Sequence, residues 1–370
     1  MSKGVVLLAA GGTGGHMFPA EALAQELKRR GRRIVLITDA RGARYASDFP
    51  ADEKVEIAAA SPNVGGLTTK LKAVLSTVGG FASALSAIRK RNVDAAIGFG
   101  GYPSFAAMQA ASLLKIPYGV HEQNGVLGRT NRMLAGAAAF TAHAFPSLAR
   151  TPQAAAARLQ EVGNPVRDAV TDAASVPYQA PEPGGQIRLL VFGGSQGASL
   201  FSDVAPKAIN ALPADLRARL KITQQARESE VAAVEAAYAE AGVQSEIASF
   251  FSDLPRRIAD AHLVISRSGA STVTELSVIG RPSILTPLAI AMDDHQTGNA
   301  RVLSDAGAAV LLPETAFTPE RLAPELQTLV GDPDILPRMA IAAKDRVRLG
   351  AAATLADLVE RIAERQGRKP

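Results

Sequence analysis

Short apolar runs punctuate the chain, each ending in a glycine-rich turn and followed by a stretch with helical spacing. Val5–Ala10 leads to Gly11-Gly12-Thr13-Gly14-Gly15-His16, and Pro19 suits the first turn of a helix that stops at Gly31. Ile34–Thr38 reads as a second strand. Asp94–Phe99 leads into Gly100-Gly101-Tyr102-Pro103, and Ile116–Val120 ends at His121-Glu122-Gln123-Asn124-Gly125. The arrangement returns where Ile187–Phe192 meets Gly193-Gly194-Ser195-Gln196-Gly197 and where Leu263–Ser266 meets Arg267-Ser268-Gly269-Ala270-Ser271-Thr272. Strands alternating with helices predict α/β architecture, with parallel sheets covered on both faces. Both halves open with strand, glycine loop and helix, so two Rossmann-like domains are expected. The break is expected between Asn164-Pro165 and the Pro/Gly-rich segment 176–185. Ligands of such sheets lie beyond the carboxyl ends of the strands, which lets the glycine loops of both halves face one cleft.

Two other apolar patterns need separate treatment. Leu71, Val74, Leu75, Val78, Phe81, Leu85 and Ile88 share one helical face, bracketed by Lys70, Lys72 and Arg89-Lys90-Arg91. Such a face either covers its own core or lies on a membrane surface. Ala95–Leu114 carries no charge and has the length of a membrane span, but Gly98, Gly100, Gly101 and Pro103 place a loop at its centre. A spanning helix is therefore not expected there. The start, Met1–Ala10, runs straight into glycines and is too short for a signal peptide's apolar core and cleavage site.

Composition narrows the class. With 47% hydrophobic and 20% charged residues among 370, the chain can build two cores. Cysteine is absent, which excludes disulfides and thiolate metal sites and suits a reducing compartment. Up to Val166 there are 19 Lys and Arg against 10 Asp and Glu, a net of +9; the remainder has 21 against 25, a net of −4. A basic half joined to a mildly acidic one suggests an anionic surface or substrate on the basic side, with ordinary surface charge as the plain alternative. Aromatics make up only 5%, and no nucleic-acid motif occurs.

None of the glycine loops is a dinucleotide fingerprint or a P-loop, since Met17 stands where the last glycine of G-x-G-x-x-G belongs. Their shared physics is close backbone approach to a phosphate with a helix dipole behind it, and several in one chain point to a diphosphate ligand. His16 sits at the foot of a helix, where the dipole favours a neutral imidazole able to act as a base or a donor; a polar helix-start residue without chemistry is the alternative. Thr272-Val273-Thr274-Glu275 matches a capping box, yet a carboxylate there could also accept from a ribose diol. His121-Glu122 fails as a zinc motif because position 125 is Gly, and Asp332-Pro333-Asp334 reads as a turn rather than a D-x-D metal site. Asp293-Asp294-His295-Gln296 is either a solvated turn or a sugar-binding segment.

Taken in order, these motifs resemble the MurG family of N-acetylglucosaminyltransferases. The likeness covers nearly the whole chain and rests on Gly11–Pro19, Gly100-Gly101-Tyr102, His121–Gly125, Gly163-Asn164-Pro165-Val166-Arg167, Gly193–Gly197 and Ser266–Ala270. It implies a GT-B fold: an acceptor- and membrane-facing domain of residues 1–166 with a returning helix near 349–370, and a donor domain of residues 167–348. It implies inverting transfer of GlcNAc from UDP-GlcNAc to undecaprenyl-diphospho-muramoylpentapeptide, in peptidoglycan synthesis and hence in cell shape and division. Donor contacts fall on Arg167, Ser195, Ala270, Ser271, Thr272, Val273, Thr274, Glu275 (ribose) and Gln296 (sugar), with the uracil held by backbone near Phe251. Thr13, Gly14, Gly15 and Asn124 join them from the other domain, and Gly100, Gly101 and Tyr102 lie on the acceptor side. His16 is the expected base, with Glu122 the next candidate. No cofactor or metal is implied. The enzyme is expected on the cytoplasmic face of the inner membrane as a peripheral protein, with no nucleic-acid partner. The loop 288–295 departs from the family by being more apolar and one residue longer, which touches the assignment of Gln296 most. Another UDP-sugar enzyme of this fold, such as a lipid glycosyltransferase or a UDP-GlcNAc 2-epimerase, and a non-catalytic nucleotide-sugar sensor are the competing readings.

Overall fold

Apolar runs without polar alternation are buried on both faces, which fits them for the centre of a parallel sheet sandwiched between helices. A computed structural model describes residues 4–58, 67–194, 199–344, 346 and 349–367. The chain divides into two units, Met1–Asp168 with Arg348–Pro370, and Ala169–Val347.

The first unit holds seven parallel strands: β1 (Val5–Ala9), β2 (Arg33–Thr38), β3 (Glu53–Glu56), β4 (Val93–Gly98), β5 (Tyr118–Glu122), β6 (Phe140–His143) and β7 (Leu159–Glu161), in the order β3-β2-β1-β4-β5-β6-β7. Val6 pairs with Ile34 on one side and Ala95 on the other. Every residue of β1 is buried, whereas edge strand β3, Glu-Lys-Val-Glu, exposes Lys54 and Glu56 and half-buries Glu53 and Val55. Alternate β1 residues feed separate cores. Val6 and Leu8 pack with the Gly14–Arg29 helix and the Ala351–Gly367 helix, while Leu7 and Ala9 face Ala107, Met108 and Ala111 of the Gly101–Leu113 helix.

The second unit holds β8 (Ile187–Phe192), β9 (Leu220–Gln225), β10 (Gln244–Ala248), β11 (Leu263–Ser266), β12 (Ser283–Leu285) and β13 (Ala309–Leu311), all parallel, in the order β10-β9-β8-β11-β12-β13. In each sheet the order reverses beside the first strand, between β1 and β4 and between β8 and β11. Those switch points are where connecting loops diverge and a ligand fits. The Pro/Gly-rich segment is fastened to this second unit. Arg281, wholly buried, donates to the carbonyls of Val176, Ala259 and Ile279, and Tyr178 donates to that of His262.

Several expectations need correction. Pro19 lies inside the first helix rather than in its first turn, because the helix already starts at Gly14. The strand expected at 116–120 runs from Tyr118 to Glu122, so His121 and Glu122 belong to its buried end rather than to the loop beyond. The amphipathic stripe falls within a helix, Leu67–Arg89, but Ile88 is buried, and Phe81 and Leu85 pack against the sheet core, so that part serves the fold. Val78 is exposed; the side chains of Leu71, Val74 and Leu75, with Lys70 and Lys72, lie outside the described ones. Among the described residues no helix is long and apolar enough to cross a membrane.

The Ala351–Gly367 helix is tied to the first unit by ions as well as apolar contact. Arg30 reaches Asp357 at 2.6 Å and Glu360 at 3.0 Å, while Arg32, almost buried, meets Glu360 at 3.2 Å. Removing Glu360 leaves a buried guanidinium short of a partner, so Glu360→Ala should cost about 1.5–3 kcal/mol in urea unfolding, whereas exposed Asp357→Ala should cost less than about 1.

Candidate functional site

At the β1/β4 switch point two glycine loops meet edge to edge. The helix Gly14–Arg29 has Thr13 as its N-cap, and the Thr13 side chain makes no cap hydrogen bond. His16 is the third residue of that helix, and its Nδ1 lies 2.8 Å from the Gly11 carbonyl oxygen. A carbonyl only accepts, so the proton sits on Nδ1 and the Nε2 lone pair is the basic one. Gly100, at φ +103°, brings its backbone so close that a Cβ there would stand 2.9 Å from His16 Nε2. At Gly101, φ +79°, a Cβ would stand 2.9 Å from the Gly11 oxygen. Only glycine allows both approaches.

Buried side chains pin this pair of loops. Asp39 Oδ1 accepts from the amides of Gly12 and Gly42, each at 2.9 Å, and Oδ2 lies 3.4 Å from Arg41 Nη2. Ser104 Oγ accepts from the Gly100 amide at 3.1 Å. Neither Asp39 nor Ser104 stands in a motif, and only the positions at strand end and helix start could have suggested them.

Glu122 is organised differently from a base. Its Oε1 accepts from Asn124 N and Nδ2 at 3.1 and 3.0 Å, and its Oε2 from Gly128 N and Asn131 Nδ2, both at 2.9 Å. Four donors occupy a carboxylate with four lone-pair sites, and the group is 3% exposed. Glu122 thus fixes the loop that presents Asn124. His121 Nε2 donates to the Gly163 carbonyl at 3.0 Å, and its Nδ1 accepts from Gln123 Nε2 at 3.2 Å. Gly163 opens the Gly-Asn-Pro-Val-Arg segment, and Arg167 at its end lies over the Phe18 ring at 3.9 Å, within the first unit. Tyr102, half-buried, begins the Gly101–Leu113 helix beside these loops.

At the β8/β11 switch point Ser195 lies outside the described residues, as does the rest of 195–198. The other loop is resolved in detail. The helix Ala270–Ile279 has Gly269 as N-cap and no side-chain cap. This overturns the capping-box reading, since Thr272 is the third helical residue and Glu275 the sixth, beyond reach of the cap amide. Ala270, Ser271 and Thr272 form the open first turn. Val273 is fully buried, and Thr274 Oγ1 donates to Ala270 O at 2.8 Å, so these two offer no side chain outward. Glu275 is almost buried. Phe251, buried beyond β10, carries Arg257 4.2 Å above its ring.

Gln296 braces two loops. Its Oε1 accepts from Leu288 N at 3.0 Å, and its carbonyl accepts from Ser268 Oγ at 2.8 Å. Arg267, also buried, donates to the carbonyls of Thr286 and Pro287 and meets Glu314 Oε2 at 3.0 Å; the same Oε2 accepts from Ala289 N at 2.9 Å. Glu314 carries no motif, and no sequence signal singled it out. Asp332 Oδ1 accepts from Asp334 N at 2.8 Å, the geometry of a turn.

Residues 6–142 match the glycosyltransferase family 28 N-terminal domain and residues 188–361 the family's C-terminal domain. A relative from Methylorubrum populi, named UDP-N-acetylglucosamine--N-acetylmuramyl-(pentapeptide) pyrophosphoryl-undecaprenol N-acetylglucosamine transferase, is 49% identical over 97% of both chains. A relative of the same name from Phenylobacterium zucineum is 48% identical over 96% of this chain and 98% of its own. The crystal structure of MurG from Acinetobacter baumannii superposes with a TM-score of 0.76 at 30% identity, covering 97% of this chain and 99% of that one. UDP-GlcNAc 2-epimerase from Neisseria meningitidis shares the fold alone, with a TM-score of 0.66 at 12% identity over 96% of this chain and 100% of its own.

Burial pushes the His121 imidazole down to about 4. In the unfolded chain it titrates near 6.5, so between those values the unfolded state binds the extra proton, and stability is lost as pH falls through that window. Wild type should therefore lose about 2 kcal/mol more than His121→Gln between pH 7.5 and pH 5 in urea titrations. Parallel pH profiles would show that His121 is not held neutral.

Proposed function

The chain belongs to glycosyltransferase family 28, and we propose that it transfers GlcNAc from UDP-GlcNAc, with inversion, to the muramoyl sugar of undecaprenyl-diphospho-muramoylpentapeptide. The observation that carries this reading is the name and near-complete coverage of its curated relatives. The geometry supports it in both units. Each sheet has, at its switch point, a helix start without a side-chain cap, and such a start suits a phosphate-bearing ligand.

In this reading the second unit takes the donor. The open first turn at Ala270–Thr272 receives the diphosphate, Glu275 accepts from the ribose diol, and the backbone near Phe251 holds the uracil. Gln296, with Oε1 committed to Leu288, offers its Nε2 donors to the sugar. Ser195 completes the second unit's donor contacts, and Arg167, Thr13, Gly14, Gly15 and Asn124 are the donor contacts assigned to the first unit. Gly100, Gly101 and Tyr102 serve the acceptor.

The acceptor hydroxyl attacks the anomeric carbon from the face opposite UDP; the new C–O bond forms as the bond to the β-phosphate oxygen breaks. His16 Nε2 takes the hydroxyl proton, its orientation set by Nδ1–H on Gly11. Charge appearing on the departing diphosphate meets preset N–H dipoles. Glu122 acts through Asn124 and not as the base.

The test mixes UDP-GlcNAc with a short-chain lipid-linked muramoylpentapeptide and follows the disaccharide product and UDP. Both should appear together; UDP release without disaccharide, or binding without turnover, would contradict the proposal. His16→Ala should lower turnover about 10²–10⁴-fold with UDP-GlcNAc affinity largely kept, and retention of more than about a tenth of turnover would remove His16 as base.

The undecaprenyl tail cannot leave a bilayer, so the enzyme works at a membrane surface, on the cytoplasmic side where UDP-GlcNAc is available. The first unit carries the positive balance. Its exposed apolar residues Val78, Leu113 and Met133 lie on successive packed helices, with exposed Lys115 and Arg129 nearby in sequence. Basic residues near an anionic surface contribute about 1 kcal/mol each, screened by salt. Anionic vesicles should co-sediment the wild type at low salt and release it at high salt. A Leu113→Ser/Lys115→Gln/Arg129→Gln/Met133→Ser variant should bind less, and equal binding by both would remove this face from the membrane contact.

A further inference from the structure

The backbone from Thr286 to Ala289 leaves the carboxyl end of β12 and leads to Gln296, and buried Arg267 with half-buried Gln296 and Glu314 grips it. Arg267 holds the carbonyls of Thr286 and Pro287, Gln296 Oε1 holds the Leu288 amide, and Glu314 Oε2 holds the Ala289 amide. One carboxylate oxygen thus bridges the Ala289 amide and the Arg267 guanidinium that grips the preceding residues. Arg267 is 9% exposed and lies over the Phe201 ring at 5.4 Å, so its charge has little access to water and depends on Glu314. Arg267 adjoins Ser268, whose hydroxyl holds the Gln296 carbonyl. Glu314 therefore closes a ring of contacts that starts at the β11 loop, crosses the β12 loop and returns through Gln296.

We propose that Glu314 is a positioning residue for the donor sugar: through Ala289 and Arg267 it fixes the 286–289 backbone and with it the orientation of the Gln296 amide. The inference deepens the donor assignment above and rests on it. Glu314 reaches the ligand only through other residues, so its loss should affect recognition of the sugar and leave the nucleotide part alone. The first turn at Ala270–Thr272, which takes the diphosphate, is not among the groups that Glu314 contacts.

The experiment measures calorimetric dissociation constants for UDP-GlcNAc and for UDP with wild type, Glu314→Ala and Glu314→Gln. Loss of hydrogen bonds to a charged group predicts UDP-GlcNAc binding weakened about ten-fold in Glu314→Ala, with UDP changed by less than about two-fold. Glu314→Gln keeps an oxygen for the Ala289 amide, should show an intermediate loss, and serves if the alanine variant does not fold. Equal weakening of both ligands, or no change in a folded variant, would overturn the positioning role. Failure of the wild type itself to bind UDP-GlcNAc would instead overturn the donor assignment, and the proposal with it.

Discussion

The fold depends on a constraint that parallel sheets impose on themselves. Where strand order reverses, neighbouring loops part company, and backbone groups at the strand ends lose the partners that the sheet supplies elsewhere. Both sheets reverse beside their first strand. At β1/β4 partners are supplied by Asp39, Ser104 and His16; beyond β11 Asn299 Nδ2 donates to Ser268 O at 3.2 Å, and beyond β12 Arg267 donates to Thr286 O. These contacts fix the loops in place.

The two units solve this constraint with different chemistry. In the first, glycines bring backbone against backbone, and the imidazole of His16 is clamped between the Gly11 carbonyl and the Gly100 main chain. That leaves a histidine oriented by main chain rather than by a carboxylate. In the second, a buried guanidinium and a carboxylate brace the loop after β12. An inverting sugar transfer needs an oriented base and fixed dipoles from its protein.

Much of the fold was legible in the sequence because its central strands are uninterrupted apolar runs; β8 and β11 fall where the residues alone put them. The alternating architecture and the two-part organisation followed from the same runs. What escaped was set by contacts distant in sequence. β5 extends two residues further because His121 and Glu122, polar by type, are satisfied by Gly163 and Asn131. Thr272 and Glu275 have the letters of a capping box, but the helix starts earlier at Gly269 and makes that spacing irrelevant. The face with Phe81, Leu85 and Ile88 could cover a core or lie on a membrane; these three serve the core, a choice that periodicity cannot make. The glycine loops bearing the candidate contacts could be read from motifs; Asp39, which holds the Gly12 amide, and Glu314, which holds the Ala289 amide after β12, could not, since each acts on backbone amides that leave no pattern in side-chain identity.

The proposed base, His16, has Nδ1 2.8 Å from the Gly11 carbonyl oxygen, which sets the tautomer that leaves Nε2 unprotonated. Nitrogen NMR of ¹⁵N-histidine-labelled protein at neutral pH, with the His16 signals assigned by loss in His16→Gln, observes this directly. His16 should show a protonated Nδ1 and an unprotonated Nε2. A His16 ring carrying its proton on Nε2 would contradict this.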